Sequence, residues 1–291
     1  MRAHFLAGLV AAFALVTPAC AEPDWQDVAR ALGKEGAVQQ GGAYRVGLPR
    51  TDLKVRLDGV DIKPGLALGS WLAFMPMGDE AMVMGDLVLT GDEVNPVMKT
   101  LLESGIDVTA LHNHLLRSDP PTMYMHVAGH GDPLKLAASL HAGLALSKTP
   151  MGPAPAAQPQ SVDLDMAAID VAMGYKGKAN GAIYQFSIPR ADPIQDGGMV
   201  VPEAMGSALA INFQATGGGK AAIAGDLVLV ASEVNPVLRA LRMNGIEVTA
   251  VHNHMLDDQP RLFFMHFWAN DDALHLAKGL RAALDKVAVK S

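Results

Sequence analysis

Cysteine is nearly absent from this 291-residue chain, in which Cys20 is the only one. If processing removes that residue, the mature protein has no thiol, which excludes disulfide bonds, cysteine nucleophiles and thiolate metal sites. Charged residues make up only 18% of the chain, the net charge is −7, and no basic cluster is present. An acidic chain of this kind is not expected to bind nucleic acid.

Long apolar segments are also missing, and the only apolar run near the N-terminus is short. Residues 5–16 follow Arg2 and precede the small-x-small sequence Ala19-Cys20-Ala21. This order is typical of a secretion signal, and the run is too short to cross a bilayer. We therefore predict a signal peptide over residues 1–21 and an exported protein of the periplasm or cell envelope with no transmembrane span.

A lipid anchor on Cys20 is the alternative to simple cleavage. Lipidated cysteines usually follow a Leu three residues earlier, whereas this one follows Thr17-Pro18-Ala19. We therefore favour the cleaved form over a lipoprotein.

Motifs of several enzyme classes are missing too. The chain has no Gly-x-Ser-x-Gly elbow, no phosphate-binding Gly-x-x-x-x-Gly-Lys-Ser/Thr and no His-Glu-x-x-His. These absences argue against the corresponding serine hydrolases, nucleotide-binding proteins and metalloproteases.

What the chain does contain is an internal duplication. His112-Asn113-His114 recurs as His252-Asn253-His254, 140 residues later. Without gaps, residues 85–144 align with 225–284, and half of the positions are identical. The Pro- and Ala-rich segment between the copies is typical of a linker. We predict repeat domain 1 over 22–148, a linker over 149–162 and repeat domain 2 over 163–291.

Each copy has the pattern of an α+β domain. In the first copy we predict strands over 81–90, 106–116 and 122–128 and helices over 92–104 and 133–147. The apolar face of the first helix and the glycine after it, Gly105, support this assignment. A β-α-β-β-α order predicts a mainly antiparallel sheet with the helices packed on one face.

The repeated histidines are the strongest candidates for a functional site. The set comprises His112, His114 and His126 in copy one and His252, His254 and His266 in copy two. Residues two apart on a strand share a face. A turn near Asp119 would then place His126 opposite His112.

Three imidazoles meeting in this way suit a transition metal with an open coordination position, zinc first and copper second. Each triad binds its own metal, or the two sheets join and both triads line one shared cleft. A metal-bound water would then support hydrolysis. The alternative is a non-enzymatic envelope module, in which the histidines are structural or line a pocket for a small polar ligand or envelope component.

Other repeated residues are weaker candidates. Glu93 and Glu233 could serve as a fourth ligand or general base, although an acid in the first turn of a helix also stabilises that helix. Arg50 and Arg190 could hold an anion or form structural salt bridges. Asp86 and Asp226, each after a glycine, are further candidates, although turn chemistry at the start of a strand explains them at least as well.

The strings Glu93-Val94-Asn95-Pro96-Val97, Gly105 to His114 and Met125-His126 resemble the LppY/LpqO family of bacterial exported proteins and lipoproteins. The second copy carries the same signature. The resemblance implies a bacterial envelope protein built from a duplicated domain of unknown function. It supplies no catalytic residue.

Overall fold

The computed structural model describes residues 23–152 and 161–290. The predicted signal peptide over 1–21 lies outside the described residues, as does the central part, 153–160, of the predicted linker. None of the helices in the described ranges is both long enough and apolar enough to cross a bilayer.

The two copies fold into matching sets of helices and strands. Copy one contains α1 (Trp25–Leu32), β1 (Ala37–Val38), β2 (Tyr44–Pro49), β3 (Val55–Leu57), β4 (Val60–Ile62), α2 (Pro64–Ala67), β5 (Gly69–Met77), β6 (Glu80–Thr90), α3 (Gly91–Glu103), β7 (Asp107–His112), β8 (Thr122–Gly131) and α4 (Pro133–Leu144). Copy two contains α5 (Met166–Met173), β9 (Lys178–Asn180), β10 (Ile183–Pro189), β11 (Gln195–Asp196), β12 (Met199–Val200), a 3₁₀ turn (Glu203–Met205), β13 (Ala208–Gly217), β14 (Lys220–Val230), α6 (Ala231–Met243), β15 (Glu247–His252), β16 (Asp258–Gln259), β17 (Leu262–Asp272) and α7 (Ala273–Leu284).

Each copy forms a six-stranded sheet, and the two sheets have the same strand order. The first runs β1-β2-β5-β6-β8-β7 and the second β9-β10-β13-β14-β17-β15. All neighbouring strands in both sheets are antiparallel. The α+β fold and the tandem duplication predicted from the sequence are therefore confirmed.

The helices form because their apolar residues recur on one side. In α3, Val94, Val97 and Leu101 are buried against the sheet, and the helix stops before Gly105, whose φ of 80° suits glycine. In α4 the first helical residue is Pro133, and the Asp132 carboxylate caps the helix by accepting two backbone N–H bonds.

Nearly every residue of the central strand β6 is buried, because both faces of this strand are covered. On one face Val83 and Leu87 pack into the helical core of copy one. On the other face Met84 and Val88 pack against residues of copy two. The two sheets thus meet through the faces turned away from the helices, and this inner face of each sheet carries the histidines.

The predicted register of the histidine strands is wrong by two residues. β7 ends at His112, which pairs with Tyr124, while His126 pairs with Ala110. Copy two repeats this, with His252 opposite Phe264. The strand does not continue to residue 116, because the chain leaves the sheet after His112 and returns only at Thr122. His114 therefore belongs to the connecting loop.

Candidate metal centre

The six repeated histidines meet at one place between the two sheets. Their rings stack in three pairs, and each pair takes one ring from each copy. Ring centroids lie 3.5 Å apart for His112 and His252, 3.6 Å for His114 and His266, and 3.7 Å for His126 and His254. Of the two arrangements left open by the sequence, the structure therefore has the shared one, a single six-histidine cluster.

Two aspartates belong to the same cluster, and these the sequence interpretation missed. Asp86 lies in the middle of β6, directly opposite His126, and Asp226 has the same position on β14 opposite His266. Oδ2 of Asp86 is 3.8 Å from Nε2 of His114, and Oδ2 of Asp226 is 3.3 Å from Nε2 of His254. The turn chemistry expected for these aspartates is wrong, because neither lies at a turn.

The glycine before each aspartate has a different explanation. A Cβ on Gly85 would lie 2.7 Å from the Trp71 carbonyl oxygen, and one on Gly225 would lie 2.1 Å from the Ala210 carbonyl oxygen. Glycine is thus required by the close approach of the neighbouring strand. The Gly-Asp pair recurs in both copies, and this repetition is the sequence signal that points to the aspartates. Pairing of the two long strands then places each aspartate opposite a repeated histidine.

Reciprocal hydrogen bonds between the copies hold the histidine loops. The Thr109 hydroxyl donates to the His254 carbonyl oxygen at 2.5 Å, and the Thr249 hydroxyl donates to the His114 carbonyl oxygen at 2.6 Å. The Asn113 side-chain amide donates to the Thr249 carbonyl oxygen, and the Asn253 amide to that of Thr109. The asparagine in each His-Asn-His motif therefore ties its loop to the other repeat.

Burial keeps the imidazoles neutral. It lowers the pKa of His112 to about 4 and that of His266 to about 3. The pKa values of the other four histidines, His114, His126, His252 and His254, are lowered as well, by burial first and by the neighbouring rings second. Neutral imidazole is the form that binds metals.

The aspartates are shifted in the opposite direction. Burial raises the pKa of Asp86 to about 8, and the positive charge of Arg45 opposes this rise. Burial and the nearby Asp86 raise the pKa of Asp226 well above its ordinary value. At neutral pH these two carboxyls can therefore hold protons, although a bound cation would favour their charged form.

Many polar atoms of the cluster are buried without a partner. Nine of the twelve buried side-chain nitrogens and oxygens that lack a hydrogen bond within the described residues belong to these six histidines and two aspartates. Nδ1 of His266 donates to the Gly225 carbonyl oxygen at 2.8 Å, which leaves its Nε2 as a lone-pair atom. Unpaired buried lone pairs are costly in an apolar interior and are satisfied when they bind a cation.

Two overlapping groups have the geometry to hold a metal ion. One comprises His112, His252, His254 and His266, and the other comprises Asp86, His112 and His126. Within each group the ligand atoms all lie within 4.8 Å of one another. Nitrogens bound to one zinc lie roughly 3.4 Å apart, so coordination would draw the rings slightly together. Neither group is one of the triads expected from the sequence. The first joins His112 to three histidines of copy two, the second adds Asp86 to two histidines of copy one, and both contain His112.

The two weaker candidates, Glu93 and Glu233, are used elsewhere. Glu93 is paired with the fully buried Arg50, with Oε2 2.8 Å from Nη1, and it accepts the backbone N–H of Thr90 at the start of α3. Glu233 makes the same contacts with Arg190 and Val230. The glutamates and arginines thus form structural ion pairs, and neither glutamate is in a potential metal group of the described residues.

A cavity of about 770 Å³ between the copies reaches the cluster. Three histidines and both aspartates line it: His114, His126, His254, Asp86 and Asp226. Its wall also carries Arg45 and Trp71 from copy one. The cavity therefore reaches one side of the buried cluster, while His112, His252 and His266 do not line it.

Fold and cluster define a class of protein: an internally duplicated α+β protein whose two halves share one buried histidine and aspartate centre. The chain belongs to the family described as Domain of Unknown Function (DUF1259), whose model matches it twice, over residues 26–146 and 167–286. A comparison with curated proteins gives no match.

Some solved structures show a distant similarity. The trimeric bacterial microcompartment shell protein PduB is 9% identical, covering 88% of this chain and 91% of its own, with a TM-score of 0.22. EtuB from Clostridium kluyveri is 9% identical, covering 87% and 91%, with a TM-score of 0.20. Scores this low support no conclusion about the fold or function of this chain.

Proposed function

We propose that this protein is an exported envelope protein of the LppY/LpqO type that binds a transition metal, zinc before copper, in one centre shared by its two repeats, and that it uses this metal for hydrolysis. The observation that carries the proposal is the convergence of six neutral imidazoles and two carboxyls, nine of whose buried polar atoms have no hydrogen-bond partner within the described residues.

The donor set fits such a metal. Buried neutral imidazoles are ordinary ligands for zinc and copper, and a carboxylate suits zinc. His112, His252, His254 and His266 form the first group that would hold the metal, and Asp86, His112 and His126 form the second. The hydrogen bond from His266 to the Gly225 carbonyl oxygen fixes the ring so that Nε2 faces the cluster.

A bound metal supplies a Lewis acid and a nucleophilic water near neutral pH. The chain itself contributes the remaining functions. Asp86 lies beside the histidines, where its carboxyl either binds the metal as a carboxylate or, when the four-histidine group holds the metal, carries a proton at Oδ1 or Oδ2. Packing between the sheets limits the contact of His126 and His266 with bulk water, since their exposed fractions are 4% and 1%.

The first experiment measures metal content. Protein purified without a nickel column is dialysed against zinc or copper and analysed by mass spectrometry of the elements. We expect at least one equivalent in the wild type and loss of most of it in both His112→Ala and His252→Ala, since the two rings share a centre. His130→Ala is the matched control, because His130 is half-exposed and pairs with Glu80. Binding of less than about a tenth of an equivalent by the wild type would reject the proposal.

A second experiment separates an enzyme from a binding module. Hydrolysis of 4-nitrophenyl acetate and 4-nitrophenyl phosphate is followed with the metal-loaded protein, with the chelated protein and with His112→Ala. Turnover that depends on the metal and on His112 supports hydrolysis. Stoichiometric metal without any turnover of either ester leaves a metal-binding envelope module.

A further inference from the structure

The two repeats agree at the cluster but differ on the wall of the cavity. Every histidine and aspartate of the centre is present in both copies. On strand β2 the cavity wall carries Arg45, whereas Gln185 stands 140 residues later. Trp71 lies opposite Asp86 in the register of the first sheet, and Ala210 holds the equivalent place opposite Asp226. The two copies thus differ in the residues that a ligand in the cavity would contact, and the wall from copy one is not repeated by copy two.

The side chains of Arg45 and Trp71 form one unit. The guanidinium carbon lies 4.2 Å from the centroid of the Trp71 ring, which is the geometry of a cation–π contact. One of its nitrogens, Nη1, donates to the Ala204 carbonyl oxygen across the repeat boundary. These two contacts hold the guanidinium in place, and the bond to Ala204 is its one hydrogen bond within residues 23–152 and 161–290.

The charge of this unit is not neutralised by an ion pair. Arg45 is the one lysine or arginine among the described residues that line the cavity. Its pKa is lowered by burial to about 10, so it stays cationic at neutral pH. Asp86 lies near it, but the carboxylate contacts of Asp86 within the described residues go to His114 and His126 and not to Arg45. Glu203 also lines the cavity, yet it is exposed and forms no salt bridge with Arg45 in the described part of the chain.

We propose that Arg45, held against the face of Trp71, binds the oxyanion of a ligand, a carboxylate or a phosphate group, in the cavity beside the histidine cluster. A guanidinium with free N–H groups matches the paired oxygens of both groups. This inference deepens the proposed function. It rests on that function only where it takes the bound anion to be one end of a substrate whose reacting bond lies at the metal. Anion binding itself needs Arg45 and no metal.

The test titrates inorganic phosphate and, separately, acetate into the full chain by calorimetry, in both the metal-depleted and the metal-loaded form. We expect one of the two anions to bind the metal-depleted wild type. Arg45→Gln, which installs the residue of copy two, should weaken that binding roughly tenfold to a hundredfold, as loss of a charge-assisted hydrogen bond does. The anion that binds identifies the source as a phosphate or a carboxylate compound.

Control variants guard against an unspecific effect. Arg239→Gln removes the same charge from the exposed face of α6 and should leave anion binding unchanged. Arg45→Lys keeps the charge without the planar fork and should retain part of the affinity, which keeps the test informative if Arg45→Gln unfolds. Trp71→Phe should weaken binding less than Arg45→Gln. Metal content is measured on every variant and should equal that of the wild type.

Each outcome separates this inference from the proposed function. Arg45-dependent anion binding in a protein that takes up no metal supports the anion site and rejects the metal centre. Anion binding only in the metal-loaded form, equal in wild type and Arg45→Gln, means that the metal holds the anion and overturns the Arg45 site. Absence of binding of both anions in both forms, even at tens of millimolar, overturns it as well.

Discussion

His112 and His252, which hold the same position in the two repeats, stack on each other with ring centroids 3.5 Å apart. Two imidazolium cations at that distance would repel strongly, so the contact requires at least one neutral ring. The same pairing of one ring from each copy holds for the other four histidines. A site with this construction exists only when both repeats are folded and packed against each other.

The metal-free protein should lose stability on the acid side of neutrality. The six histidines have lowered pKa values, so below about pH 6.5 the unfolded chain binds protons that the folded chain does not. The two aspartates act with the opposite sign, because their raised pKa values hold protons in the folded state that the unfolded state releases above about pH 3.8. Six groups outweigh two, so stability should fall as the pH drops from about 6.5 towards 4.

The same linkage predicts the alkaline side. Above about pH 7 most histidines are neutral in the unfolded chain as well, so the two aspartates dominate and lower stability as the pH rises. Urea unfolding of the chelated protein at a series of pH values measures both slopes. The stability maximum should lie near pH 6.5 to 7. A profile that is flat between pH 5 and 7 would contradict the neutral, buried state of the histidines.

Asp86→Asn should weaken metal binding by roughly tenfold to a hundredfold, as loss of a group beside metal-binding histidines does. Asparagine has the shape of the protonated carboxyl, so the metal-free fold should change little in stability. The affinity is measured by competition with a chelating dye. Asp107→Asn is the control, since Asp107 is exposed at the start of β7. An unchanged affinity in Asp86→Asn would remove this carboxyl from the centre.

Thr109→Val and Thr249→Val should each destabilise the protein by about 1–2 kcal/mol, because each loses a hydroxyl bond to the carbonyl oxygen of a histidine in the other repeat. They should also reduce metal affinity, since the histidine loops are then less fixed. Thr216→Val, whose hydroxyl bonds to the exposed Asn270, is the matched control. Urea midpoints and metal titrations that match the control in both threonine variants would show that these bonds do not position the loops.

Glu93→Gln and Glu233→Gln should destabilise the protein by about 1–3 kcal/mol without lowering its metal content, because each removes a charged partner from a buried hydrogen bond. Each buried arginine keeps a second carboxylate, Asp52 beside Arg50 and Asp192 beside Arg190, so its charge is not left unpaired. Thermal or urea unfolding gives the first quantity and elemental analysis the second. If metal is lost from a variant that remains folded, the glutamate is a ligand after all and the structural assignment fails.

Gly225→Ala should destabilise the fold by about 1–3 kcal/mol, because its Cβ would lie 2.1 Å from the Ala210 carbonyl oxygen on the neighbouring strand. Gly47→Ala is the control, as no atom lies within 4 Å of the added Cβ. Both are measured by urea unfolding. Equal stability of the two variants would mean that β13 and β14 can separate at no cost.

The sequence predicted the parts of this protein that depend on local periodicity. The helix predicted over 92–104 is α3, Gly91–Glu103, because its apolar spacing and Gly105 are local signals. The sequence also singled out the six histidines that the structure brings together, because they recur at the same spacing in both copies. What it could not predict were distances between residues far apart in the chain.

The register of β7 against β8 shows the physical reason. Pairing His126 with His112 assumed a tight turn, yet the chain leaves the sheet at His112 and a bulge shifts the ladder between Val108 and Ala110. Neither feature has a distinct sequence signal. For the same reason Asp86 was assigned to a turn: its place in the middle of a strand buried on both faces depends on the second sheet packing against it.

Thr109 bonds to the His254 loop, and Thr249 bonds to the His114 loop in the same way. A half-turn that exchanges the two repeats therefore maps this pair of bonds onto itself. A surface that satisfies this relation fits a second copy of itself. One repeat expressed alone would therefore carry half of the binding residues on an exposed, self-complementary face. Two such repeats would re-form the whole site as a homodimer. Fusion into one polypeptide frees each half to change separately, as the replacement of Arg45 by Gln185 in the other half illustrates.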